Sequence, residues 1–309
     1  MDNFMIALSA VMPFVVYILM GIICKRIGLV KEDFLKQLNT TVFKCFFPFI
    51  MFNNLYDVDF STLRGSYYVV FAFIATVVLI IVSCLVIPIF VKENKRRGVM
   101  IQASFRSNAV LYAIPLVESV YGPVGAVKAC ILIAFIVPLY NIVSVVVLEC
   151  YRGKSVTVKK LLLNVLKNPL IIGAIAGVIF NLLPVTMPEC LASPVSVLAG
   201  IATPMSLFVL GGTLHISDMS RNKVPLVITT VQKLIVVPAI VVCLMRLGVF
   251  DFAAEESFAV FCSFATPVAA ASFPMAQSMG GDAALAGEYV VVTTLCSIFT
   301  IFVWILVLV

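Results

Sequence analysis

The chain has 309 residues, 62% of them hydrophobic and 12% charged, and its mean hydropathy of +1.16 lies far outside the soluble range. The formal net charge is +6, but the basic residues sit in short loops between apolar runs and form no continuous stripe, which excludes nucleic-acid binding and points to an all-α integral membrane protein. Nine cysteines stand singly with no CxxC, the pattern of small apolar packing residues and not of a disulfide framework or metal site.

In chain order, the N-terminal run MDNFMIALSAVMPFVVYILMGIIC meets its first positive charges, Lys25 and Arg26, only at its end. This predicts a retained first span with its N-terminus outside, not a cleaved signal peptide. About 20 apolar residues cross a bilayer, and the sequence predicts ten spans, at 4–24, 37–56, 66–91, 99–121, 124–149, 168–184, 195–215, 224–247, 257–279 and 284–309. The loops after spans one, three, five and seven carry fifteen basic residues. They are Lys25, Arg26, Lys31 and Lys36, then Lys92, Lys95, Arg96 and Arg97, then Arg152, Lys154, Lys159, Lys160 and Lys167, then Arg221 and Lys223. The opposite loops carry three, Arg64, Lys128 and Arg246. That asymmetry places the first set in the cytoplasm and both termini outside, in a multi-pass protein of the cell (plasma) membrane.

The segment Ser104 to Gly122, SFRSNAVLYAIPLVESVYG, returns 159 residues later as Ser263 to Gly281, SFATPVAAASFPMAQSMGG. Ser104/Ser263, Phe105/Phe264, Pro115/Pro274, Ser119/Ser278 and Gly122/Gly281 coincide without a gap. Each copy is an apolar span with a proline at its middle, and proline removes a backbone donor. Broken backbone at membrane depth is tolerated only inside protein or beside a wet cavity. Interruptions are therefore expected at Pro115 and Pro274, and paired interrupted spans mark the binding site of an inverted-repeat transporter. The basic loop YRGKSVTVKK divides the chain into a five-span half at 1–150 and a second half at 151–309, which includes the basic linker 151–167. With five spans before the linker, the second half enters the membrane in the opposite sense.

PFIMFNNL in span two, Asn108 to Pro115 with LVESVYG in span four, PMSLFVLGGTL in span seven, PMAQSMGGD in span nine and VVTTLCS in span ten together resemble the auxin efflux carrier family, the PIN-like permeases. The resemblance covers the whole chain. It implies ten helices as two inverted five-helix repeats, a scaffold of spans one, two, six and seven, and a transport bundle with broken crossover helices four and nine. It also implies export or exchange of organic anions. Two positions depart from the family pattern: Ala113 stands where a glycine is usual, and span three lacks the acid and base of plant members. Both argue against a plant-like auxin charge network.

Several residues stand out as candidates for the site. Arg106 lies about nine residues past cytoplasmic Arg97, ~13 Å of helix, where a charge either faces a cavity or partner or snorkels to the interface. Asn108, Asn141 and Asn53 offer amides within spans, either to a substrate or to neighbouring helices, and Asn54 is assigned to the interface. Pro115 and Pro274 supply the backbone of the breaks. Gln277 is the symmetry mate of Glu118, and Glu118 is the candidate for binding a coupling H+ or Na+ if it is not simply an outer interfacial carboxylate. Lys44 and Lys233 lie about eight and ten residues inside their spans, either snorkelling or drawing anions to the pathway. His215, near Asp218, is read as a surface histidine, and Asp57 with Asp59 as an isolated acidic pair. No P-loop, HExxH or GxGD is present, so no enzyme and no cofactor is expected. The expected function is a secondary transporter of mono- or dicarboxylates, with a transporter-like sensor or scaffold as the alternative. Its partners are the lipid bilayer and a small organic anion, with a homodimer left open.

Overall fold

The computed structural model describes residues 2–56, 66–153, 158–183, 187–214, 222–247 and 251–308. Asp57, Asp59, Arg64, Lys154, His215, Asp218 and Arg221 lie outside the described residues. Among the described residues the regular structure is helical, with one isolated antiparallel bridge. Helix α1 (Asp2–Arg26) leads to α2 (Glu32–Thr41), which passes through a π turn at Val42–Phe46 into α3 (Phe47–Tyr56). Then follow α4 (Tyr67–Phe90), α5 (Asn94–Phe105) and α6 (Ala109–Cys150). The linker region contributes a short helix, α7 (Val158–Leu166), before α8 (Pro169–Leu182) and α9 (Glu189–Thr213). Next, α10 (Lys223–Val231) continues through a second π turn at Gln232–Val236 into α11 (Val237–Arg246). The chain closes with α12 (Ala254–Ala265), α13 (Ser272–Ser278) and α14 (Ala283–Leu308).

Among the described residues, five helical rods are long and apolar enough to cross a membrane: Tyr67–Phe90, Ala109–Cys150, Glu189–Thr213, Lys223–Arg246 and Ala283–Leu308. The protein is thus an all-α, multi-pass membrane protein. Its outward faces fit that solvent, with Ile74, Ile81, Leu85 and Ile89 exposed along α4 and Phe299, Val303 and Leu306 along α14. Such apolar surface is unfavourable in water and neutral against lipid tails. At 42 residues, α6 is about 63 Å long, twice the hydrocarbon thickness. It is divided by a kink at Gly122, whose φ of 66° and ψ of −161° interrupt the helix. A positive φ favours glycine there, and Pro123 then restarts a helix with its fixed φ.

Small residues set the tightest packing. α1 lies against α9 with Gly21 facing the backbone of Phe208, and Gly211 facing Ile18, so that a Cβ on Gly211 would fall 2.0 Å from the Ile18 carbonyl oxygen. α8 lies against α3 through Gly173 and Gly177, a GxxxG pair facing Pro48 and Phe52. A second group packs α6 against α12, α4 and α5, and α14 against α10 and α13. α1 bridges to it through α14 and α6.

Candidate functional site

The chain is interrupted twice inside the protein, and the two interruptions touch. α5 ends at Phe105, Arg106 is extended (φ −78°, ψ 100°), and α6 begins after Asn108. α12 ends at Ala265, and Thr266 is extended (φ −77°, ψ 154°) because Pro267 follows it and disfavours the helical region for its predecessor. α13 starts only at Ser272. Asn108 N–H donates to Pro267 O at 2.8 Å, and Ala269 N–H donates to Arg106 O at 3.2 Å. Ser107 and Val268 thereby form the antiparallel bridge. Val268 N–H in turn donates to the Thr293 hydroxyl on α14 at 3.0 Å. The two breaks satisfy each other's backbone groups, which is what burial requires.

The expected interruption at Pro115 and Pro274 is corrected here. Pro115 lies within α6 and Pro274 is the third residue of α13, seven residues beyond Asn108 and Pro267. Proline in a first helical turn gives up a donor that has no intrahelical partner anyway, so Pro274 does not break its helix. The break in the second copy follows Thr266-Pro267, and the first copy is broken at the matching register without a proline.

A cavity of about 760 Å³ opens over this joint. Arg106, Asn108, Asn141 and Pro115 line it, with Ser107 and Tyr140 beside them. The opposite wall comes from α1, α3 and α9, including Phe14, Met51, Thr203 and Pro204. Asn54, not Asn53, reaches the cavity from α3. Pro274, Gln277 and Glu118 do not line it, Gln277 is half-buried, and Glu118 is exposed.

Arg106 is 4% exposed. Its guanidinium donates to Asn141 Oδ1 and to the sulfur of Met275. Among the described residues no carboxylate pairs with it. Thioether sulfur is a weak acceptor, so further N–H donors remain for a ligand. Asn108 is 8% exposed and its Nδ2 has no partner among the described residues. It precedes the first turn of α6, whose orphan N–H groups and positive dipole end face the same space. A buried, unneutralised guanidinium, an unpaired amide donor and a helix N-terminus converge on one volume, and that combination receives an anion.

Lys233, which the sequence marked only as a charge inside a span, lies directly behind the joint. It is 0% exposed in the π turn, and its ammonium donates to Ser107 Oγ and to Phe105 O at 3.4 Å. Its depth within the span was the available signal, and contact with a break five helices away was not readable locally. Lys44, its counterpart in the first π turn, is exposed.

A many-helix membrane protein with paired interior breaks beneath a cavity has the architecture of a membrane transporter. A family model described as "Membrane transport protein" matches residues 6–305, and the chain belongs to that family, the auxin efflux carrier or PIN-like transporters. No curated protein matches the chain.

Proposed function

We propose that the chain is a secondary transporter of small organic anions, mono- or dicarboxylates, held over the joint between the two breaks. The observation that carries this reading is Arg106: buried, unpaired by any carboxylate among the described residues, and open to a cavity of about 760 Å³. A central arginine costs about 2.5–3.5 kcal/mol on insertion scales, so a bound carboxylate offsets a real deficit. Asn108, Asn141 and the first turn of α6 complete the cradle.

The mechanism is alternating access. The chain forms ten spans as two inverted five-helix repeats, 1–150 and 151–309, with both termini outside the plasma membrane. The group α1, α2–α3, α8 and α9 is the scaffold, locked by the glycine contacts of α1 with α9 and α3 with α8. The rest carries the joint from one side to the other, driven by coupling to H+ or Na+. The test is counterflow in proteoliposomes with a panel of labelled mono- and dicarboxylates. Accumulation that unlabelled substrate of the same kind drives supports the reading, and a folded protein that moves none of the panel overturns it.

A further inference from the structure

We propose that Ser107 and Lys233 form a proton-coupled switch, in which the Ser107 hydroxyl is shared between the buried amine and the bound anion so that one proton accompanies each anion. This rests on the anion reading above. Ser107 lies in the break between α5 and α6 and lines the cavity, while Lys233 approaches the same hydroxyl from behind.

A serine hydroxyl has one hydrogen to donate and two lone pairs. When Lys233 is an ammonium it has three hydrogens and no lone pair. It donates to Ser107 Oγ and to Phe105 O, the carbonyl at the C-terminal end of α5's last turn, where a cation is favoured. The Ser107 hydrogen is then released toward the cavity. When Lys233 is a neutral amine, its lone pair accepts the Ser107 hydrogen, and the hydroxyl has nothing left to offer an anion. The contact is satisfied in both states, but only the ammonium state leaves a donor for a carboxylate. A carboxylate that takes the Ser107 hydrogen therefore requires Lys233 to gain a proton from solvent through the open cavity, and its departure allows that proton to leave. Reciprocity between proton and anion follows from linkage.

The surrounding groups leave this exchange to the pair. Tyr140, beside Ser107 on the cavity wall, donates to Ser263 O at 3.4 Å. Its oxygen competes for the Ser107 hydrogen, and a charged carboxylate displaces it as the stronger acceptor. Arg106 adjoins Ser107 but points its guanidinium at Asn141 and Met275. The ionisable groups on the elements packed against the π turn are Lys223 on α10, Cys243 and Arg246 on α11, Glu255, Glu256 and Cys262 on α12, Glu288, Tyr289 and Cys296 on α14, and Lys95, Arg96 and Arg97 at the far end of α5. Tyr289 is held by Thr229 and Pro225 O, and Glu288 accepts from Asn222, which also accepts from Arg96. The hydrogen bonds of Lys233 Nζ run to Ser107 and Phe105. A buried lysine at a π turn, contacting a broken helix at the floor of a cavity, is placed where π turns are often functional.

The experiment uses the purified full chain in weakly buffered detergent with succinate and butyrate as probes. Binding is measured by calorimetry at acidic and alkaline pH, and proton uptake by a pH-sensitive dye. Wild type should bind more weakly as pH rises and take up close to one proton per anion at the alkaline end. Lys233→Met should bind with pH-independent affinity and no proton uptake. Lys233→Arg, which keeps a cation at the end of α5 but cannot release its proton, should behave the same way and serves if the methionine variant does not fold. Ser107→Ala should bind about tenfold more weakly. Binding by wild type without proton uptake, or undiminished uptake in either lysine variant, overturns the switch and leaves the anion reading standing. If wild type binds neither probe and transports nothing in the panel, both fall together.

Discussion

Arg106 and Asn141 meet side chain to side chain although 35 residues separate them, and the contact brings the end of one broken helix against the far half of α6. The acceptor is a neutral amide, so the guanidinium is aimed without being neutralised. Replacing the amide with a carboxylate keeps the geometry and removes the deficit. Asn141→Asp is expected to fold and to lose anion binding by about a hundredfold, roughly 2.7 kcal/mol. Asn141→Ala should lose less. Isothermal titration of both variants with the best carboxylate of the panel checks the order, and equal losses would remove charge neutralisation as the cause.

Asn108 offers the sharper single-site test. Its Nδ2 has no partner among the described residues, so truncation deprives them of no bond from that atom. Asn108→Ala should change the unfolding free energy by no more than ~0.6 kcal/mol, the average membrane side-chain hydrogen bond. Carboxylate affinity should fall about tenfold, or ~1.4 kcal/mol. Thermal unfolding and binding are measured on one preparation. Wild-type affinity in the variant would move the anion away from the joint.

Glu118 is exposed and outside the cavity lining. Glu118→Gln should therefore leave the pH dependence of carboxylate counterflow unchanged. A shifted profile would return the coupling role to this carboxylate.

The glycine contacts predict where the scaffold is brittle. A Cβ at residue 211 would lie 2.0 Å from the Ile18 carbonyl oxygen, and the neighbour is backbone that has to shift as a whole. Gly211→Ala should cost about 1–3 kcal/mol of stability. Gly200, with nothing within 4 Å of an added Cβ, is the control, and Gly200→Ala should be neutral or gain up to ~1 kcal/mol from reduced backbone freedom. Unfolding midpoints in detergent decide.

The orientation is tested by a single thiol. In a cysteine-free background, a cysteine replacing the exposed Lys159 on α7 should be protected from an impermeant reagent added to intact cells. External labelling there would invert the topology and place both termini inside.

The long apolar runs of α4, α9 and α14 were legible in the sequence because bilayer thickness fixes span length independently of tertiary contacts. The repeat also located the two interrupted segments and brought Arg106 and Asn108 into the same neighbourhood. The position of the break was misread because Pro115 and Pro274 look like the stronger disruptors, whereas a proline early in a helix is tolerated and Pro267 acts instead on Thr266. Asn53 was preferred to Asn54 because adjacent residues on a helix differ by about 100° of rotation, and only packing tells which of them faces inward. Lys233 was visible as a buried charge, but its partner at Ser107 is 126 residues away. No local pattern encodes such a pairing.

The joint between the breaks is made by main-chain groups: Asn108 N–H to Pro267 O and Ala269 N–H to Arg106 O. Those bonds form whichever non-proline side chains stand at 107, 108 and 269, so the floor of the site is indifferent to most substitutions along it. Evolution is thereby free to exchange one cargo for another by changing residues such as Ser107 or the alanines at 269–271, while the architecture that carries them is inherited intact. Innovation in this lineage needs point mutations at the floor, not a redesigned fold.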